Sequence, residues 1–109
     1  MLMNIAGAQI PLPFTATGDD TVLVAGQPGK SIFVYECIGQ NSLAGIVSLK
    51  SGAATILATQ DLEANQGVTW SAIANLPGEP RFFTKPGEGL LMDVSAGTFT
   101  GDLLYAFRE

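Results

Sequence analysis

The chain has 109 residues, 47% of them hydrophobic, which is enough for a single domain with one real core. Only 14% of the residues are charged, the net charge is −5 and there is no His, so a nucleic-acid binder, a His-based catalyst and a His-ligated metal centre are all disfavoured. The cations Lys30, Lys50, Arg81, Lys85 and Arg108 are scattered, no segment runs to 18 continuous apolar residues, and Met1 to Ala6 lacks the basic stretch of a secretory signal. Neither nucleic acid nor a membrane is therefore an expected partner, and the expected place of synthesis is the cytoplasm. The single Cys37 sits in an apolar run with no His to activate it, so a buried free thiol is expected.

Met1 to Gln9 show no period and read as an arm. Ile10, Leu12 and Phe14 then alternate with Pro11, Pro13 and Thr15, the pattern of an edge strand or an extended docking segment. Residues 1–14 are thus expected to form an N-terminal arm with an edge segment, and residues 15–109 a single β-sandwich domain. Gly18-Asp19-Asp20 reads as a turn, Thr21 to Ala25 as a strand, and Gly26 to Lys30 as a second turn. Ser31 to Ile38 is apolar on both faces and is expected at the centre of a sheet. Gly45 to Lys50 and Ala54 to Thr59 flank a hairpin tip at Ser51-Gly52. Asp61 to Gly67 is a loop in which Gly67 is expected at positive φ. Val68 to Ala72 and Arg81 to Thr84 are strands either side of a rigid loop, Asn75 to Pro80. Lys85 to Gly89 turns, Leu90 to Ser95 runs back, Ala96-Gly97 turns, and Thr98 to Phe107 closes the chain.

Turn signals at roughly 8–12-residue intervals and period-two alternation predict an all-β fold. The expected architecture is an antiparallel β-sandwich of jelly-roll type with about eight strands.

Few residues carry chemistry. Asp19-Asp20 lacks the ligand number and spacing of a calcium loop and reads as a turn. Glu36 shares alternation with Ile32, Val34 and Ile38, so it is either buried with a cation such as Arg81 or Arg108, or exposed at a strand end. Asp93 and Asp102 fall on the polar side of their strands and read as solvated. Trp70 faces the same way as Val68 and is expected in the core. Arg81-Phe82-Phe83 puts one ring on each face, so an edge position would expose one of them as a contact. No catalytic residue, cofactor or metal ligand is expected.

The stretches Gly18-Asp19-Asp20-Thr21-Val22, Pro28-Gly29-Lys30-Ser31-Ile32-Phe33-Val34, Leu49-Lys50-Ser51-Gly52, Pro86 to Ser95 and Gly101 to Tyr105, in that order, resemble the small β-sandwich structural proteins of tailed phages, including capsid decoration (cement) proteins. The resemblance covers residues 15 to 107 and leaves out Pro11-Leu12-Pro13. It implies a structural virion protein, not an enzyme, made in the host cytoplasm and located on the phage head. It also implies a homotrimer that binds the major capsid protein or another virion protein between capsid subunits. From the residues themselves, apart from the resemblance, partner contacts are expected at Leu2, Ile5, Ile10, Leu12, Phe14, Glu36, Arg81 and Phe82. The alternatives are a phage tail or fibre module that binds a host glycan, and a cupin-like enzyme. The second is disfavoured because cupin metal sites are rich in His.

Overall fold

The computed structural model describes residues 9–72 and 79–109. Seven strands form in chain order: β1 (Ile10–Val24), β2 (Ser31–Asn41), β3 (Gly45–Ser51), β4 (Thr55–Leu62), β5 (Gly67–Ser71), β6 (Phe82–Phe83) and β7 (Leu90–Arg108). No helix occurs among the described residues. Every strand pair is antiparallel. The path β4-β3-β7-β2-β5 makes one continuous sheet, with β1 added on β7 and β6 on β2.

The sheet curls because β1 and β7 are long and irregular. Along one edge β7 pairs with β3 through Leu90 to Val94 and then with β2 through Phe99 to Arg108. Along its other edge it pairs with β1 on both sides of the bend, through Leu90 to Val94 and Phe99 to Tyr105. The result is two arms that share β1 and β7. The first arm holds β3, β4, the start of β7 and the end of β1. The second holds β2, β5, β6, the end of β7 and the start of β1.

At the bend both long strands lose register. The β1–β7 register shifts between Ala16 and Gly18 and again before Thr21. Gly18 (φ 67), Asp20 (φ 56) and Gly97 (φ 77) take positive φ there. Bulges of this kind bend and twist a strand without reversing it. Gly18-Asp19-Asp20 and Ala96-Gly97, expected as turns, are therefore bulges inside two long strands. Four expected strands merge into β1 and β7, which leaves seven rather than about eight.

Gly39 and Gly101 face each other across β2 and β7 at the same bend. A methyl group on Gly39 would overlap the Phe99 ring, and one on Gly101 would overlap the Ile38 carbonyl. The ring of Phe99 fills the space these glycines leave and stacks on Phe14, with centroids 5.8 Å apart.

The inner face of the curl is the core. Val47 and Leu49 of β3, Leu90, Met92 and Val94 of β7, and Leu62 of β4 line the first arm. Ile32, Val34 and Cys37 of β2, Trp70 of β5, and Phe99 and Leu103 of β7 line the second. Leu12, Phe14 and Tyr105 pack on it from the margin. Ser31 to Ile38 is central as expected, between β7 on one side and β5 and β6 on the other. The hairpin at Ser51-Gly52 also forms as expected. In the loop after β4, Asn65 (φ 64) takes the left-handed conformation, and Gly67 does not.

Pro11 and Pro13 of β1 lie opposite Leu104 and Asp102. A proline cannot donate to a ladder, so both ring nitrogens face the free edge while Ile10, Leu12 and Phe14 bond towards β7. Asn41 is fully buried and clamps the bend: its Nδ2 donates to the carbonyls of Leu43 (2.7 Å) and Ala96 (2.9 Å). Ser42 Oγ accepts the Thr98 amide at 2.9 Å beside it.

Candidate functional site

Residues 1–8 and 73–78 lie outside the described residues, so Leu2, Ile5 and most of the expected Asn75 to Pro80 loop are not placed. Leu12 and Phe14 turn inward and pack on the core, which gives them a structural role beyond any contact role. Ile10 is the exposed apolar residue of that segment.

Glu36 is exposed, and the reason is a bulge. Tyr35 is an extra residue between the Val34–Tyr105 and Glu36–Leu104 pairs. One extra residue inverts the alternation, so Cys37 follows Ile32 and Val34 into the core while Glu36 and Ile38 turn out. The Glu36 carboxylate accepts a long 3.5 Å hydrogen bond from Ser71 Oγ and forms no ion pair with Arg81 or Arg108. Burial pushes the Cys37 thiol up to about 12, with the neighbouring Glu36 charge adding to it.

Three groups of side chains lie on the outer face. The first is an ion cluster on the first arm. Lys50 Nζ reaches Asp20 Oδ1 at 2.5 Å and Asp93 Oδ2 at 3.0 Å, with the lysine side chain only 8% exposed. The backbone amide of Asp20 donates to Asp93 Oδ1 at 2.7 Å. Hydrogen bonds to the two aspartates hold the Lys50 ammonium above its ordinary pKa. Burial raises the Asp93 carboxyl, but the Asp20 amide and the Lys50 ammonium outweigh it and leave Asp93 below its ordinary value. The alternation marks Asp93 as polar but not as paired. Only the register of three strands brings Asp20, Lys50 and Asp93 together. Asp93 and Asp102 lie on the same strand, β7, and do not form a carboxylate pair.

The second group lines an open groove of about 810 Å³ on the second arm. Two rows cross four strands: Pro13, Asp102, Ile38 and Thr69, then Thr15, Thr100, Gln40 and Gly67. Gln40 Nε2 donates to the Asn65 carbonyl at 2.6 Å, which fixes its amide. The lining offers threonine hydroxyls, the amides of Gln40 and Asn65, the Asp102 carboxylate and the apolar side chains of Ile38 and Val68.

The third group is aromatic and cationic. Phe33 and Phe83 are cross-strand neighbours with ring centroids 5.9 Å apart. The Arg108 guanidinium lies 5.9 Å from the Phe33 ring and donates to Tyr35 Oη at 3.0 Å. Arg81 lies 4.9 Å over Phe82, which packs edge-on to Trp70. Phe82 is therefore the ring held against the core, and Phe83, 61% exposed, is the one presented to solvent. In a two-residue strand the register against Phe33 and Val34 decides which ring turns out.

Among the described residues no group of three His, Cys, Asp or Glu side chains is arranged to hold a metal ion. Comparison with protein-family models, with curated proteins and with solved structures finds no match to this chain.

Proposed function

We propose that this chain is a structural virion protein of the capsid decoration type, which stabilises a phage head by binding between capsid subunits as a homotrimer. The observation that supports the reading most is the outer face. Val22, Ile56, Ile38 and Phe83 are all exposed on it, in a chain with few charges to solvate them. Scattered apolar residues are ordinary, but several on both arms of one sheet suit a protein that spends its life against other protein surfaces. The role is mechanical: many modest contacts, multiplied by oligomeric seating, give tight attachment without chemistry. On this reading the two arms are the two layers of a jelly-roll type sandwich, with β1 and β7 crossing between them at the bulges as corner-forming strands do. The protein is made in the host cytoplasm and resides on the phage head.

The test is to purify virions from the cells that make the chain and quantify it against the shell protein. A fixed stoichiometry on heads is expected, together with lower heat resistance of heads that lack it. Its absence from particles overturns the reading. Deleting residues 2–9 is expected to reduce occupancy if Leu2 and Ile5 dock.

The groove favours one second reading, a tail or fibre module that binds a host glycan. Hydroxyls, an amide and Asp102 around Ile38 suit a polyhydroxylated ligand. Binding on a glycan array that Asp102→Ala and Gln40→Ala abolish would favour it over decoration.

A further inference from the structure

The five cations, scattered in sequence, are not scattered in space. Lys50 is committed to Asp20 and Asp93. The other four lie around the first half of β2. Lys30 precedes it, and its carbonyl accepts the Gly87 amide at 2.8 Å. Arg108 is opposite Ser31. Arg81 and Lys85 bracket β6 and are both exposed. Among the described residues none of these four forms an ion pair. Four glutamates, Glu36, Glu79, Glu88 and Glu109, lie near them in sequence or register; Glu88 accepts from Ser51 Oγ at 2.6 Å and Glu36 from Ser71 Oγ at 3.5 Å, and among the described residues none is within ion-pair distance of the four cations. Between the cations lie the exposed Phe83 and the Phe33 ring under Arg108.

The far end of β2 has the opposite character. Leu43 and Ile46 are 54% and 50% exposed. Ile46 is directly opposite Asp61 across the β3–β4 ladder, and Asp61 and Glu63 are exposed. No Lys or Arg occurs in residues 41–49 or 52–72. Ser31 and Asn41 are the two ends of β2, a separation of roughly 33 Å at ordinary strand rise, in a molecule 42 Å long. The two patches cannot meet within one chain.

We infer that this protein self-associates head to tail, the exposed Phe83 and the unpaired cations beside it at the start of β2 seating on the carboxylate-rimmed Leu43–Ile46 patch of a second copy. The chemistry matches on both counts. A guanidinium held beside a ring and bonded to a hydroxyl is prepared for carboxylate recognition. Aromatic and Arg side chains are the usual anchors of protein interfaces, and an exposed phenyl ring has an aliphatic seat in Ile46 and Leu43. Two different surfaces meet in this contact, so it propagates and closes into a ring where the rotation allows. It rests on the oligomeric part of the reading above and not on particle binding.

The test is sedimentation equilibrium of the full chain at low salt and at about 1 M salt, where exposed charges are screened within a few ångströms. The wild type is expected above monomer mass at low salt and to fall towards monomer at high salt. Arg81→Glu with Lys85→Glu, or Asp61→Lys with Glu63→Lys, is expected to give monomer. The four substitutions combined restore complementarity with the polarity reversed, and the assembly is expected to return. Circular dichroism checks that each variant folds; Phe83→Ser serves as the probe where a reversal does not, and it too is expected to lose association. A wild type that is monomeric throughout overturns the contact. So does a mass that neither pair of reversals changes, or a folded four-fold variant that stays monomeric. A wild type that assembles as described but is absent from virions supports this contact and overturns the decoration reading alone.

Discussion

The two arms are built from the same long strands, yet their outer faces do different work. On the first arm the outer face is tied down around Lys50, with Val22, Ile46 and Ile56 left exposed beside the tie. Lys50 is drawn under the β1 bulge by two aspartates, and it also donates to the Ala53 carbonyl at the hairpin tip (3.3 Å). On the second arm the outer face is left available, with the groove at one end of β2 and the Phe33–Phe83 patch at the other. The difference shows that outer strand positions serve opposite ends: Lys50 and Asp93 keep the polar alternation of their strands, and Phe33 and Phe83 break it. The first pair fixes the fold and the second is free for recognition.

The sharpest way to break that comparison is at the bend, which both arms share. Phe99→Ala removes the ring that covers Gly39 and stacks on Phe14. It is expected to cost about 3–5 kcal/mol and to loosen both arms together, read by denaturant melts of the purified chain. An effect confined to one arm in hydrogen exchange would show that the arms are independent.

Asn41→Ala comes next, at about 2–3 kcal/mol. It leaves the Leu43 and Ala96 carbonyls unpaired at a fully buried position. Amide exchange is expected to accelerate first at the bend.

Lys50→Met tests the ion cluster and is expected to cost about 1–2 kcal/mol, below the value for a fully buried pair because Asp20 is half exposed. The wild type carries a pH signature. Asp93 is depressed in the folded state, so its contribution is complete above the ordinary carboxyl value of 3.8 and is lost as pH falls through the lower folded value. Lys50 is raised, so its contribution is complete below 10.5 and is lost as pH rises through the higher folded value. Thermal melts against pH should show a plateau between those limits, and Lys50→Met should flatten the fall on both sides. A variant with unchanged limbs would place the linkage elsewhere.

The smallest effect on stability, within about 0.5 kcal/mol, is expected for Phe83→Ser on the second arm. A large loss of stability there would make Phe83 a packing residue and erase the contrast between the arms. Cys37 offers an independent check: with the thiol buried and its pKa near 12, alkylation should track global unfolding.

Much of the fold is legible in the sequence because period-two alternation survives wherever strands are regular. Buried Trp70 follows from it, while the central place of Ser31 to Ile38 and buried Cys37 follow from a run apolar on both faces, and the Ser51-Gly52 hairpin from its turn residues. What it misses arises where one residue changes the parity. A glycine at positive φ serves a reversal or a bulge equally well, so Gly18 and Gly97 do not declare which they are. The Tyr35 bulge has no glycine to mark it, so the alternation places Glu36 on the face of Ile32 and Val34 while the bulge turns it outward in mid-strand. The cationic patch and the Lys50 cluster depend on register between strands far apart in the chain, and local pattern does not encode that distance. The decoration role rests on a rhythm of turns, and the virion experiment is what decides it.

The two prolines of β1 bear on how copies of this protein can come together. A bare strand margin is an open template, and chains that present one are prone to grow into fibres by recruiting strand after strand. Over Ile10 to Phe14 that template is defective: two successive outward donors are replaced by ring carbons, and an incoming strand finds no ladder to complete. At high copy number, growth along this margin is barred over these residues, and copies are left to meet through ends and faces, where the rotation between copies decides whether an assembly closes.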